Sequence, residues 1–132
     1  HTADIRPEQI DYINAHATST QCGDLEEAKA IKKVFGACTP NIYVSSCKAA
    51  LGHMLGAAGA IEAAVTALSI KRGMLTPTMN LKNPDPGCDL NFVTAMQFQD
   101  INAAISNSFG FGGHNAVLAY RAFSESAEGN GP

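Results

Sequence analysis

The sequence predicts an α/β domain with a mixed, mostly parallel sheet and flanking helices, and three observations carry that expectation. Residues 10–15 and 42–45 are short runs rich in strand formers, separated by a helix-patterned segment at 25–35, which is the order of a parallel β-α-β unit. A second helix-length run, about 56–72, follows the second strand. Two further strand-like runs, 103–107 and 116–121, flank a glycine-rich block and read as a closing pair.

Each element has a local cause. The run Ile10-Asp11-Tyr12-Ile13-Asn14-Ala15 ends in a stretch with threonine and serine, as a buried strand running into a functional loop does. Asp24 is expected to cap the helix that follows, with acids in the first turn, lysines in the last and Gly36 just beyond. Leu25, Ala28, Ile31 and Phe35 share one face, so this helix should lie on the sheet. The run from Gly56 to Arg72 is apolar almost all round and is expected to be the buried helix. Prolines at 77, 84 and 86 make the segment between Leu75 and Gly87 an irregular surface excursion. Residues 1–123 read as one domain, and 124–132, small and polar, as a disordered tail.

Bulk properties exclude several function classes. The 132 residues are 45% apolar and lack tryptophan, which suits one domain rather than two. A net charge of −3 with no run of lysine or arginine gives no footprint for nucleic acid or anionic lipid. The most apolar segment, 55–70, is too short for a membrane span and contains Glu62. The chain opens His-Thr-Ala-Asp, without methionine or the charged-then-apolar pattern of a signal peptide, and reads as a fragment or processed product. Cysteines at 22, 38, 47 and 88 have neither C-x-x-C spacing nor the density of a disulfide scaffold, which suits a soluble protein in a reducing compartment.

Chemistry concentrates at the strand ends. The stretch from Ser45 to Gly59 joins a strand to a helix-length run and places Lys48 and His53 on the junction. Gly52, Gly56 and Gly59 give up helix propensity around His53, leaving a face on which another backbone can pack. His16 follows the first strand as His53 follows the second, so a parallel sheet puts both at the carboxyl edge, where open α/β sheets bind ligands. No i, i+4 histidine pair and no acids at ligand spacing accompany them, so no catalytic metal is expected. Gly110-Phe111-Gly112-Gly113 lacks the order of a phosphate-cradling loop. Thr18 and Thr20, two apart on an extended segment, should point their hydroxyls the same way. Glu62, inside an apolar helix, must have a partner there.

Three ordered blocks are similar to segments of the β-ketoacyl-acyl-carrier-protein synthases, condensing enzymes of fatty acid and polyketide synthesis with a thiolase-like layered fold. They are Asn14-Ala15-His16-Ala17-Thr18-Ser19-Thr20, then Lys48 with the Gly52 to Glu62 segment, then Ser106 to Asn115. The resemblance spans most of 10–121 and implies the C-terminal half of that fold, in an elongating synthase of fatty acid biosynthesis. It implies decarboxylative condensation of malonyl-carrier protein with an acyl-enzyme thioester. The acyl carrier protein is then the partner, its phosphopantetheine carries the malonyl and acyl thioesters, no cofactor is bound, and the enzyme is a homodimer.

The same resemblance assigns roles. His16 and His53 match the two histidines that donate hydrogen bonds to the thioester oxygen as enolate charge develops, and Lys48 matches the lysine that biases the neighbouring histidine. Thr18 and Thr20 match threonines that bond the phosphopantetheine amides; Phe111 matches a residue whose amide joins an oxyanion hole and whose ring gates the acyl pocket. Glu62 matches a glutamate that either pairs with the lysine or joins a structural monovalent cation site with groups near Asn14, Ser106 and Asn107. Ala17 stands where glycine is frequent and His114 where threonine is common; both resemble plastid-type synthases, a lean to the plastid stroma over the bacterial cytoplasm. Cys47 replaces a frequent threonine, and none of the four cysteines has the nucleophile's motif, so the nucleophile is expected in a preceding half and this chain alone is expected to be inactive. The rival readings are a ketosynthase domain of a polyketide synthase, a non-catalytic chain-length partner subunit, which both histidines and Lys48 argue against, and a free-standing binding module.

Overall fold

The computed structural model describes residues 3–123, so the expected tail at 124–132 lies outside the described residues. In chain order the elements are β1 (Tyr12–Asn14), α1 (Gln21–Phe35), β2 (Tyr43–Ser45), α2 (Lys48–Leu51), α3 (Ala58–Arg72), β3 (Met74–Leu75), β4 (Asn91–Phe92), β5 (Gln97–Phe98), β6 (Ala103–Gly110) and β7 (His114–Arg121). Five strands form one sheet in the order β4-β2-β1-β6-β7, parallel except where β7 returns antiparallel to β6. β3 and β5 form a separate antiparallel pair.

Alternation along the strands separates two layers. Ile13, Ala15 and Val44 point to one side and pack with Ile31 and Phe35 of α1. Tyr12 and Ala104 point to the other, where Leu75, Val93, Ile101 and Ile70 of α3 meet them. The hydroxyls of Tyr12 and Ser45 bond at 2.9 Å on this second side, satisfying two buried polar groups at once. Both helices therefore lie on the sheet, one on each face.

Several elements differ from the sequence reading for identifiable reasons. α1 begins at Gln21 and not after Asp24, with Thr20 in extended conformation before it. Gly23 hides this first turn in the sequence, and it leaves room for Thr20: a Cβ would lie 2.5 Å from the Thr20 hydroxyl, which would have to turn away. Asp24 caps the loop instead, accepting the Ser19 N–H at 3.1 Å. The β1 ladder continues beyond its assigned ends through Asp11 N–H to Ala103 and Ala15 N–H to Ser45, in keeping with the run 10–15. β4 was not anticipated, because two residues carry no alternation signal, although Val93 N–H extends its pairing to Val44. β6 and β7 run longer than expected and reduce the glycine-rich connection to the turn Phe111-Gly112-Gly113.

α3 departs most from expectation. Only one stripe of it is buried, and that stripe is polar or small: Ala58, Glu62, Thr66 and Ser69. Its apolar side faces outward, with Ile61 and Leu68 exposed, as are Val117 and Leu118 of β7. An all-round apolar helix needs cover on two sides, and the sheet supplies one. The 132-residue chain expressed alone should therefore bind an apolar dye and self-associate at micromolar concentration. A monomer by gel filtration with no dye binding would contradict the exposed face.

Candidate active site

The parallel register makes β1 and β2 end level, while β6 runs on four residues past that edge to Gly110. Asn14 pairs with Ser45 on one side and Ser106 on the other. The segments that leave this edge carry His16, then Lys48 and His53, and at the end of β6 the turn bearing Phe111. The imidazoles of His16 and His53 meet edge to face, with centroids 5.6 Å apart, and His16 rests equally on the Phe109 ring at 5.5 Å. The Leu55 N–H donates to His53 Nδ1 at 3.2 Å, so in the neutral ring the proton sits on Nε2.

A carboxylate absent from the sequence-derived set holds the His16 loop. Glu27 of α1 is buried and accepts the backbone N–H groups of His16 at 2.9 Å and Ala17 at 2.8 Å. It also accepts the Asn107 side-chain amide at 2.9 Å. Two donors share Oε1 while Oε2 takes the third, so all of the carboxylate's charge faces N–H groups. The loop also carries backbone strain: Ala17 has φ +22° and Ser19 φ +63°. The first of these explains why glycine suits position 17. Glu27 was legible in one respect, since it lies four residues before Ile31 on the buried stripe of α1, where an ionised group demands partners.

Lys48 and Glu62 form a buried ion pair, their side chains 5% and 3% exposed. Asn14 adds to it by donating to Thr66 Oγ1 at 3.2 Å and to the Glu62 carbonyl at 3.3 Å. Two buried oxygens here, Asn14 Oδ1 and Glu62 Oε2, have no hydrogen-bond partner. Hard oxygens of this kind are the donors an alkali cation takes, although the Lys48 charge already balances that of Glu62. Ser106 lies beside Asn14 in register, whereas Asn107, the next residue along the strand, turns to the opposite face and its amide reaches Glu27.

His16, His53, Thr18, Thr20, Phe111 and His114 line one open cleft of about 1170 Å³. The hydroxyls of Thr18 and Thr20 approach to 3.3 Å, although the segment between them bends through Ser19 and is not extended. Phe111 is fully exposed at the hairpin turn, 101%, and so is not a core residue of this chain. No cysteine lines the cleft among the described residues. Cys47 is buried, and burial followed by the nearby Glu62 carboxylate pushes its thiol above the ordinary value, which keeps it protonated. A smaller cavity of about 220 Å³ shares Ala17, Asp24 and Glu27 with the cleft as a common wall.

The family described as "Beta-ketoacyl synthase, C-terminal domain" matches residues 1–82. The chain belongs to the β-ketoacyl synthase family. It is 52% identical over 122 residues to the 3-oxoacyl-[acyl-carrier-protein] synthase 2 of Staphylococcus aureus (strain COL), covering 92% of this chain and 30% of that protein. It is 48% identical over 120 residues to the Synechocystis enzyme of the same name, covering 90% of this chain and 29% of that protein. A solved type II polyketide ketosynthase, in complex with its acyl-carrier protein and bound to the hexaketide, superposes with TM-score 0.89 at 38% identity, over 92% of this chain and 30% of that one. The chain thus spans about a third of the length of the relatives it matches, and the thiolase-like fold of a ketosynthase is shared with them. Both of these named relatives are bacterial, which gives no support to the plastid lean drawn from Ala17 and His114.

Two predictions follow from the site's electrostatics. Burial, and after it the Lys48 charge, lowers the His16 pKa below the ordinary histidine value. The unfolded chain then binds this proton more readily than the folded one, so the His16 contribution to stability is complete above about pH 6.5 and is lost as pH falls below it towards the folded value. Proton resonances of the His16 ring should titrate with a midpoint below about 6.5, and a higher midpoint would contradict the assignment. Lys48→Ala leaves the Glu62 carboxylate buried without its cation and should destabilise the complete protein by about 3–5 kcal/mol. Lys48→Met with Glu62→Leu, of similar volume and no charge, should recover most of that loss, and a double variant no more stable than the single one would argue against the pair.

Proposed function

We propose that this chain is the C-terminal part, rather than the half expected from the sequence, of an elongating 3-oxoacyl-acyl-carrier-protein synthase that performs decarboxylative condensation of malonyl-carrier protein with an acyl-enzyme thioester. The observation that carries the reading is the meeting of the His16 and His53 rings in a cleft that also holds the Phe111 turn. When the malonyl C–C bond breaks, its electron pair moves into the thioester carbonyl and carbon dioxide leaves. Two neutral imidazoles can each direct one N–H at the oxygen where that charge develops, a stabilisation stronger in the transition state than in the ground state. His53 donates through Nε2, since its Nδ1 is engaged by the Leu55 N–H. Lys48 helps to keep His16 in the neutral form this role requires.

The enolate carbon then attacks the carbonyl of the acyl group held on a cysteine supplied by the preceding part of the synthase, and the tetrahedral intermediate collapses with loss of the cysteine thiolate as the C–S bond breaks. The Phe111 amide is assigned to the oxyanion of that step, its ring to the mouth of the acyl pocket, and the Thr18 and Thr20 hydroxyls to the phosphopantetheine amides. A structural monovalent cation is assigned to Asn14 Oδ1 and Glu62 Oε2, with Ser106 alongside. Residues 1–123 form one domain in this reading, the working enzyme is a homodimer, and its partner is an acyl carrier protein. The four free thiols fit a reducing compartment. A polyketide ketosynthase is the second reading, favoured by the solved structure bound to a hexaketide; identity of 52% to a synthase 2 against 38% to that ketosynthase puts fatty acid elongation first.

In the complete enzyme, His53→Ala should reduce malonyl decarboxylation about a hundredfold to a thousandfold while acyl transfer to cysteine partly survives. Normal decarboxylation in that variant would remove His53 from its role. Phe111→Ala keeps the amide and deletes the ring, so acylation should lose chain-length selectivity without a uniform fall in every partial reaction. A uniform loss with a large drop in Tm would reject the gate. The isolated chain, mixed with acyl- and malonyl-carrier protein, should form no β-ketoacyl product.

A further inference from the structure

The two imidazoles of the cleft are held in different ways. His53 has its Nδ1 engaged by the Leu55 N–H at 3.2 Å, which fixes the ring and leaves Nε2 to the cleft. His16 Nδ1 is buried and has no hydrogen-bond partner. The torsion that turns an imidazole about its Cβ–Cγ bond is soft, with no sharp staggered wells, so the His16 ring needs another restraint. Its backbone N–H is tied to Glu27, which places the Cα without setting the ring.

Two neighbouring rings supply that restraint. The His53 imidazole stands 5.6 Å away at 88° and the Phe109 ring 5.5 Å away at 64°, both within the range of edge-to-face aromatic pairs. Of the two, only Phe109 is apolar and belongs to a strand. β6 runs four residues past Ser106, which stands across from the last residue of β1, and the two-residue period puts Asn107 and Phe109 on one face of that overrun. Asn107 donates to Glu27 Oε1 at 2.9 Å, the same oxygen that takes the His16 N–H. One face of one strand therefore steadies the backbone of His16, through Glu27, and its ring, through Phe109.

The unpartnered nitrogen also decides where the proton sits. Protonating Nδ1 would bury an N–H with no acceptor, so the neutral ring carries its proton on Nε2 and the imidazolium is disfavoured.

We propose that Phe109 is a positioning residue, whose ring packs against the His16 imidazole to hold Nε2–H towards the cleft and to keep water off the ring. This rests on the synthase reading above and deepens it: Phe109 does for His16 what the Leu55 N–H does for His53. The charged and titratable groups around His16 all remain when Phe109 is replaced. Burial lowers the His16 proton affinity first, Lys48 and His53 act in the same direction, and Glu27 and Glu62 act against them.

The test uses the complete synthase and reads malonyl decarboxylation together with the titration of the His16 ring. Phe109→Ala should lower kcat about tenfold, the scale of one aromatic pair, while KM for malonyl-carrier protein stays within about twofold. Its His16 midpoint should rise towards about 6.5 as water reaches the ring, and the acid limb of the kcat profile should move with it. Phe109→Tyr keeps the ring and should hold kcat within about twofold of the parent. An unmoved His16 midpoint in Phe109→Ala overturns the proposal. So does an equal loss of decarboxylation and of acyl transfer to cysteine, which marks a residue that only supports the fold. If the alanine variant does not fold, Phe109→Leu, apolar and without a flat ring, takes its place, and a parental kcat in it overturns the role of the ring. His16→Ala separates the two levels of inference: if it loses decarboxylation while Phe109→Ala keeps the parental kcat, only the role of Phe109 falls. If both variants decarboxylate normally, the synthase reading of the histidine pair falls as well.

Discussion

The site depends on one constraint, the register of three parallel strands about β1. Because Asn14 stands opposite both Ser45 and Ser106, the chain leaves β1 and β2 at one edge while β6 overruns it to the Phe111 turn, and groups separated by tens of residues arrive within a single cleft. A slip of one residue in either pairing would turn Asn14 or Ser45 away from α3 and towards α1, exchanging the polar layer for the apolar one. The two faces of β1 are thus specified chemically, by Ile13 on one side and by Tyr12 and Asn14 on the other, and that specification fixes the edge.

Two buried carboxylates then lock the loops that leave this edge, and they work in different ways. The Glu62 carboxylate is opposed by a cation, Lys48, while Asn14 ties β1 to the same turn of α3 through the Glu62 backbone carbonyl. Glu27 is opposed only by N–H dipoles, three of them, two from the backbone of the His16 loop. The first arrangement places a positive charge beside His16 and lowers its proton affinity. The second fixes where the ring is carried, and its own negative charge partly offsets that lowering. Protonation of the same imidazole answers first to burial and then to Lys48, with Glu27 and Glu62 acting the other way, so the carboxylate that positions the loop also biases the charge of the ring.

What could be read from the sequence was what is local or periodic. The β-α-β order, the glycine after α1 and the closing hairpin all follow from runs and punctuation, and the family blocks carry their residues in short contiguous motifs. The start of α1 was hidden because Gly23 and Cys22 look unlike helix, and the reason for Gly23, the Thr20 hydroxyl beside it, exists only in three dimensions. β4 is too short to show alternation. Glu27 escaped notice because attention to apolar spacing passes over a charged residue on the same stripe, and its partners lie on segments 10 to 80 residues away. The outward-facing apolar side of α3 was legible as hydrophobicity but not as direction, since composition does not say which side of a helix the sheet will take.

Ala17 illustrates how one methyl group redistributes the free energy of the His16 loop between its folded and unfolded forms. At φ +22° an alanine is held where an L-residue is disfavoured, by roughly 1–2 kcal/mol. A glycine would relax there but would leave the unfolded chain with more conformations to lose on folding. The alanine therefore narrows the alternatives open to the segment between β1 and Thr18 while it stores tension in the native one, held down by the two N–H bonds to Glu27. Loosening either bond should release that tension in one direction, so the His16 loop is spring-loaded: it is stiff while the carboxylate holds it and biased to rearrange once it does not.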